Sequence, residues 1–401
     1  MNWLSFIDLL RIIYNKDNPD LDKIQNKGLL AVKIGQTYAL RIDFLRPQTC
    51  KHLAQLYRNT LKLPSEEIRK LINDYMSPDK RRRLVQIDER PLASASVGQI
   101  HRARLEGKEE VVVKVIKKNV TDEFKKDVHS VRSFLRFILF VYPVLRKVAD
   151  PMGILNHIES YTLRELNLLN EIQGQKILKE IYDEYKNKFD LTLMEFPHVY
   201  EELSSERIMI SEYIPGKTFD ELLEEGDMPY ELLLELFKLH GCFMFGKGTF
   251  HGDIHPGNIM LYKNKLYFID TGAISTVPDT FRVGLFNFFD ALTLYDYEQC
   301  TYRIEDMSVK KLDKKSFMKF QDKFYELYRD FKDSRVGEVS LTRKMMESIK
   351  LAVRSGMEFE TGIFAIIKSL MYLDGMVLKC KPDTILVKDL RQFIPAFKNI
   401  M

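Results

Sequence analysis

The run His251-Gly-Asp-Ile-His-Pro-Gly-Asn258 is followed, after a short basic strand, by Phe268-Ile-Asp270-Thr-Gly272. Two carboxylates and an amide are held there at fixed offsets on tight turns, which metal-assisted phosphoryl transfer from a nucleotide requires. Asp253 is expected to face a substrate hydroxyl or water, while Asn258 and Asp270 hold a divalent cation bridging the phosphates. His251 and His255 have an i, i+4 spacing that suits zinc on a helix. Pro256-Gly257 breaks any helix there and no third ligand is evident. Structural roles are therefore expected, with His251 orienting the loop and His255-Pro256 shaping its turn.

A second constraint is Val111-Val-Val-Lys114-Val-Ile116, a lysine inside a run of β-branched residues. Alternation along a strand puts Lys114 on the face of Val112 and Ile116, so its half-buried ammonium needs a counter-charge. Taken alone, an edge-strand lysine that snorkels to water explains it better. The segment Tyr161-Thr-Leu-Arg-Glu165-Leu-Asn167-Leu-Leu-Asn-Glu171 has helical spacing and supplies carboxylates. Read as one helix, Glu165 and Glu171 point about 120° apart and cannot serve one partner. Glu171 then shares a face with Asn167, and Glu165 lies on the stripe of Leu168, Leu169 and Ile172, with Lys33 as its candidate cation.

With 401 residues, 45% of them hydrophobic and 11% aromatic, the chain can bury a sizeable core and form two or three units. Its 61 basic and 57 acidic residues leave a net charge of only +4, which gives nucleic-acid binding little support. Basic clusters such as Lys80-Arg-Arg-Arg83 read as solvated faces. The cysteines Cys50, Cys242, Cys300 and Cys380 are far apart and fit a reducing compartment. No apolar run approaches the roughly 20 residues of a spanning helix, and Arg136 and Pro143 interrupt the longest, Phe134 to Leu145. The start lacks the features of a secretory signal. It places Trp3, Phe6, Ile7, Leu10 and Ile13 on one helical face, which suits either the protein's own core or a bilayer surface.

Periodicity divides the chain at 1–90, 91–212 and 213–401. The first part reads as all helical, with a helix start at Pro64-Ser-Glu-Glu67. The second carries a hairpin, Val97 to Leu105 and Glu110 to Ile116 around a glycine-containing turn, then helices and a strand pair around Glu206-Arg207. The third is mostly helical, interrupted by strands at Asn258 to Leu261 and Lys265 to Ile269. The expected class is α+β, a small sheet-rich lobe and a larger helical lobe joined near Glu212 to Ile214.

Taken in order, these motifs resemble those of the UbiB/AarF-type atypical kinases, the ubiquinone-biosynthesis kinase-like family, from about Lys27 to Lys381. Lys33-Ile-Gly35-Gln36 matches the KxGQ signature, and Pro91-Leu-Ala93-Ser94-Ala95-Ser96-Val-Gly98-Gln99 matches the alanine-rich loop. Lys114 matches the strand lysine, Glu171 its helical partner, and Glu165 with Asn167 the ExD motif. The resemblance implies a two-lobed protein-kinase-like fold in which an N-terminal helical extension covers the active-site cleft, disfavouring ordinary protein phosphorylation. It also implies Lys33 paired with Glu165, Gln36 near the phosphates, and a nucleotide site formed by Ala93 to Ser96, Lys114, Glu171, Glu212 and Ile214 together with Lys33, Gln36 and Glu165. Asp253 and Lys114 would be catalytic, with ATP or ADP and Mg²⁺ as cofactors. The expected activity is phosphoryl transfer or ATP hydrolysis linked to isoprenoid quinone or other lipid metabolism. The expected location is cytoplasmic, with peripheral contact at the inner face of a membrane.

Several positions depart from the family pattern. Asn167 replaces the acidic residue of ExD, Thr271 the usual Phe beside Asp270, and Leu56-Tyr-Arg58 the usual Leu-Gln-Asp; the loop lacks GxGxxG, so its backbone is less free to adopt positive φ. Asn167, Thr271 and the alanine-rich loop support one alternative, a nucleotide-gated pseudokinase acting as a lipid-binding scaffold. The HGDxHxxN loop supports another, a small-molecule kinase of the choline or aminoglycoside type, against which the Lys33 to Gln36 motif argues.

Overall fold

A computed structural model describes residues 1–14, 17–39, 45–57, 62–142, 151–359 and 363–401. Arg58 and the stretch Pro143 to Leu145 lie outside these. The chain divides into two compact units, residues 1–172 with 198–213 and residues 173–197 with 214–401. The strands are β1 (Leu84–Ile87), β2 (Ala93–Ser94), β3 (Gly98–Leu105), β4 (Glu110–Ile116), β5 (Met194–Glu195), β6 (Ile208–Glu212), β7 (Lys217–Thr218), β8 (Thr249–His251), β9 (Ile259–Tyr262), β10 (Lys265–Phe268) and β11 (Ile274–Thr276).

In the first unit the strands run β1-β3-β4-β6, with β2 also on β3. The period-two pattern buries Val111, Val113 and Val115 of β4 against Ile68, Leu71 and Ile72 of the helix Ser65–Tyr75. Lys114 therefore lies on the opposite face. Gly107 does not take the left-handed position of the β3–β4 turn; Lys108 does, at φ 72°. Residues 1–90 are not all helical, because Leu84–Ile87 adds to the free edge of β3. The strand pair around Glu206 reduces to β6 and a single bridge from Val199 to Ser211. There the Ser204 hydroxyl accepts from the Ile210 N–H at 3.0 Å, replacing a ladder bond.

Helices of the N-terminal segment pack on Val120–Val141 and Pro151–Glu165 through Leu9, Ile13, Leu30, Ile34, Leu53, Phe124, Val128 and Ile158. Phe6, Leu9 and Ile13 of the first helix face this core. Trp3 is half-exposed and stacks on Phe134, and beyond it Phe137, Phe140, Val141 and Tyr142 are exposed. No helix among the described residues is long and apolar enough to cross a membrane.

The second unit holds the sheet β5-β10-β9-β7, the pair β8-β11 and most of the large helices. Its core is aromatic, with Phe219, Phe250, Phe320, Phe324 and Tyr328 fully buried. The helix Tyr230–Gly241 continues as a π-helical segment Cys242–Lys247 and ends at Gly248, φ 69°, from which β8 leads into His251. His240 is buried against the Phe250 ring, its Nε2 3.1 Å from the Ser369 hydroxyl. Burial pushes its pKa down to about 3.

A folded-state pKa below the unfolded value of about 6.5 means that unfolding takes up a proton between pH 3 and 6.5. Stability is thus fully present above pH 6.5 and declines below it, by up to about 1.4 kcal/mol per pH unit for one group. Urea unfolding followed from pH 8 to 4 should show this decline, and His240→Gln should flatten it.

Candidate active site

The hairpin β9–β10 brings Asn258 and Asp270 together. Its two-residue turn is Lys263-Asn264, both at positive φ, which sets the register Tyr262 to Lys265 and Ile259 to Phe268. Asn258 enters the first strand and Asp270 leaves the second, so they occupy the open end of one hairpin; the Ile269 N–H donates to the Asn258 carbonyl at 3.0 Å. Asn258 Nδ2 donates to the Asp253 carbonyl at 3.0 Å, which orients its amide. The Gly272 N–H donates to Asp270 Oδ1 at 3.2 Å, closing a tight turn after the carboxylate.

His251 joins the two turns. Its Nδ1 accepts from the Asp253 N–H at 3.1 Å and its Nε2 donates to the Asp270 carbonyl, which specifies the neutral Nε2–H tautomer. Burial lowers its pKa, offset in part by the charges of Asp253 and Asp270. His255 Nδ1 accepts from the Gly257 N–H at 3.0 Å, which shapes the Pro256–Asn258 turn. Both histidines thus have the structural partners expected of them. The donors at Asn258 and Asp270 are oxygens, the hard set that suits Mg²⁺ better than zinc.

Asp253 has a partner that no motif announced. Lys368, in the helix Ile363–Cys380, lies 3.0 Å from Asp253 Oδ1. Gly174 was equally silent in the sequence: a Cβ there would meet the Thr271 carbonyl oxygen at 2.0 Å, so the turn after Asp270 rests against a bare helix backbone.

The first unit contains the other predicted residues except Ile214. Lys114 Nζ donates to Glu171 Oε2 at 2.6 Å, both side chains largely buried. Lys33 pairs with Glu165 and sits over the Tyr161 ring at 5.6 Å. The two glutamates do serve different partners, but not from one helix. The first helix ends at Glu165 and the next begins at Leu169, because Asn167 Oδ1 accepts from the Leu169 N–H at 3.0 Å and caps the new start. The 100°-per-residue argument fails at that break.

Ala93 and Ser94 pair with Ile100 and Gln99, and the Ala95 N–H donates to the Gly98 carbonyl at 2.9 Å. The alanine-rich loop is thus a tight hairpin in which none of Ala93, Ser94, Ala95 and Ser96 has positive φ. Gln99, fully buried, accepts from the Leu63 N–H at 2.8 Å and donates to its carbonyl at 3.3 Å, tying the loop to the helical segment. Gln36 is buried and donates to the Leu56 carbonyl at 2.9 Å. Glu212 ends β6, its carboxylate accepting from the His198 N–H at 3.1 Å. Ile214, in the second unit, is buried.

Residues 55–304 match the ABC1 atypical kinase-like domain. A relative described as a probable protein kinase UbiB, from Sodalis glossinidius, is 26% identical over 92% of this chain and 68% of its own length. An uncharacterized chloroplastic aarF domain-containing protein kinase of Arabidopsis thaliana is 22% identical over 94% and 74%. An uncharacterized protein from the hydrogenase 1 5' region of Clostridium pasteurianum is 24% identical over 95% and 71%. The solved complex of Rv3197 with erythromycin, from Mycobacterium tuberculosis, superposes with a TM-score of 0.54 over 91% of both chains at 18% identity, a likeness of fold.

Gly174→Ala should push the Thr271 carbonyl aside and cost at least about 1–3 kcal/mol, the range for overpacking. Denaturant unfolding checks the loss; a variant as stable as the wild type contradicts the close approach.

Proposed function

The chain belongs to the ABC1 atypical kinase-like family, and from that premise we propose that it binds a magnesium nucleotide, ATP or ADP, and transfers or hydrolyses the terminal phosphoryl group. The observation that carries this reading is the hairpin register that puts Asn258 and Asp270 at one open end, joined through neutral His251 to the loop bearing Asp253. Asn258 and Asp270 would hold Mg²⁺, which screens the phosphate charge when bound. Asp253 orients the attacking hydroxyl or water and accepts its proton. Lys114, paired with Glu171, and the loop Ala93 to Ser96 are the proposed nucleotide-contacting residues of the first unit. Glu212 of the first unit and Ile214 of the second are proposed as further nucleotide-binding residues.

The acceptor proposed is a small isoprenoid or other lipid rather than a protein, and the resemblance of Lys33 to Gln36 and of the alanine-rich loop to the UbiB pattern supports that choice. Exposed Trp3, Phe137, Phe140 and Tyr142 give the first unit an apolar surface suited to peripheral contact with a bilayer.

Two measurements test the reading. Mg-ATP near 100 times its Kd should stabilise the protein by about 2.7 kcal/mol, and Asp270→Asn should lower turnover at least about 100-fold. No nucleotide binding, or an unchanged Asp270→Asn, removes the reading; binding without turnover leaves a pseudokinase. In liposome co-sedimentation, Phe140→Ser should reduce the bound fraction without altering nucleotide turnover, and equal binding by both proteins rejects the bilayer contact.

A further inference from the structure

We infer that Lys368 is a positioning residue for Asp253, the cation that holds this carboxylate in one orientation for the phosphoryl acceptor. The inference rests on the phosphoryl-transfer reading above and adds a residue that lies outside every motif supporting it. The loop Asp253-Ile-His-Pro-Gly-Asn258 contains no lysine or arginine, so a cation for Asp253 has to come from elsewhere in the chain. Lys368 supplies it at 3.0 Å, from a helix far along the sequence.

Both side chains are largely enclosed, Asp253 at 15% exposure and Lys368 at 22%, so their attraction is less screened than that of a surface pair.

The helix that carries Lys368 touches the neighbourhood of this loop at successive positions. Ser369 meets His240 at 3.1 Å, in the helix that leads towards β8. The Tyr372 ring stands edge-on to His255, with centroids 5.3 Å apart. Lys368 itself lies over the Tyr372 ring at 5.8 Å, one turn away. The ammonium is therefore bounded by an aromatic face as well as the carboxylate, which restricts its rotamers. A carboxylate held to one rotamer presents its acceptor geometry without a search at the moment of reaction, which raises kcat rather than nucleotide affinity.

The test compares Mg-ATP turnover, KM for ATP and thermal unfolding for the wild type, Lys368→Met, Lys368→Arg, Asp253→Asn and the Lys368→Met/Asp253→Asn double variant. Lys368→Met should lower kcat by about 10–100-fold, the scale for groups that orient a reacting residue, with KM for ATP little changed when assayed well below the variant's unfolding temperature. Lys368→Arg should recover much of the loss. In the Asp253→Asn background Lys368→Met should add almost nothing, because the two act as a unit. An unchanged kcat in Lys368→Met, equal losses in both backgrounds, or a loss that only follows lowered thermal stability overturns the assignment while leaving the phosphoryl-transfer reading intact. A wild type that binds Mg-ATP without turning it over instead overturns that reading, and this assignment falls with it.

Discussion

A buried neutral imidazole holds the candidate centre together. His251 accepts from the backbone that begins the Asp253 loop and donates to the backbone that ends the Asp270 strand, so two turns separated in sequence become one unit. Protonation would remove the acceptor at Nδ1 and add a charge in a site with no room to hydrate it, and burial accordingly lowers the His251 pKa. The β9–β10 hairpin supplies the complementary constraint. Its turn, Lys263-Asn264 in left-handed conformation, leaves one register available, and that register decides that Asn258 and Asp270 meet.

The first unit uses a different physics. Two ion pairs, Lys114 with Glu171 and Lys33 with Glu165, are largely enclosed in their apolar surroundings. Such pairs contribute little net stability, because desolvation offsets most of the attraction, but removing one partner leaves a buried charge. Their effect is to hold the strand, the helical segment and the two carboxylate-bearing helices to one arrangement. Asn167 has an unforeseen part in this. Its side chain ends one helix and begins the next, so that Glu165 and Glu171 are oriented independently.

Motifs with short internal spacing were legible because their geometry is local. The β3–β4 hairpin, the alternation that sets Lys114 on the face opposite the buried valines of β4 and the structural character of His251 and His255 all follow from offsets of a few residues. The failures share a cause. None is visible to hydrophobic periodicity: the break at Asn167 and the single bridge where a strand pair was expected come from side-chain hydrogen bonds to backbone two and six residues away, and the strand at Leu84–Ile87 from the free edge of β3.

The amino-acid order by itself determined the family pattern and the α+β class, and it marked Lys114, Asp253, Asn258 and Asp270 as candidates for the chemistry, since each is bound to a turn or strand only a few residues long. Tertiary structure alone decided which distant groups complete them. Lys368 reaches Asp253 and Gly174 admits the Thr271 carbonyl only because helices remote in sequence are packed there. No periodicity encodes such encounters, for they arise from close packing of the whole core rather than from the spacing of neighbours along the chain.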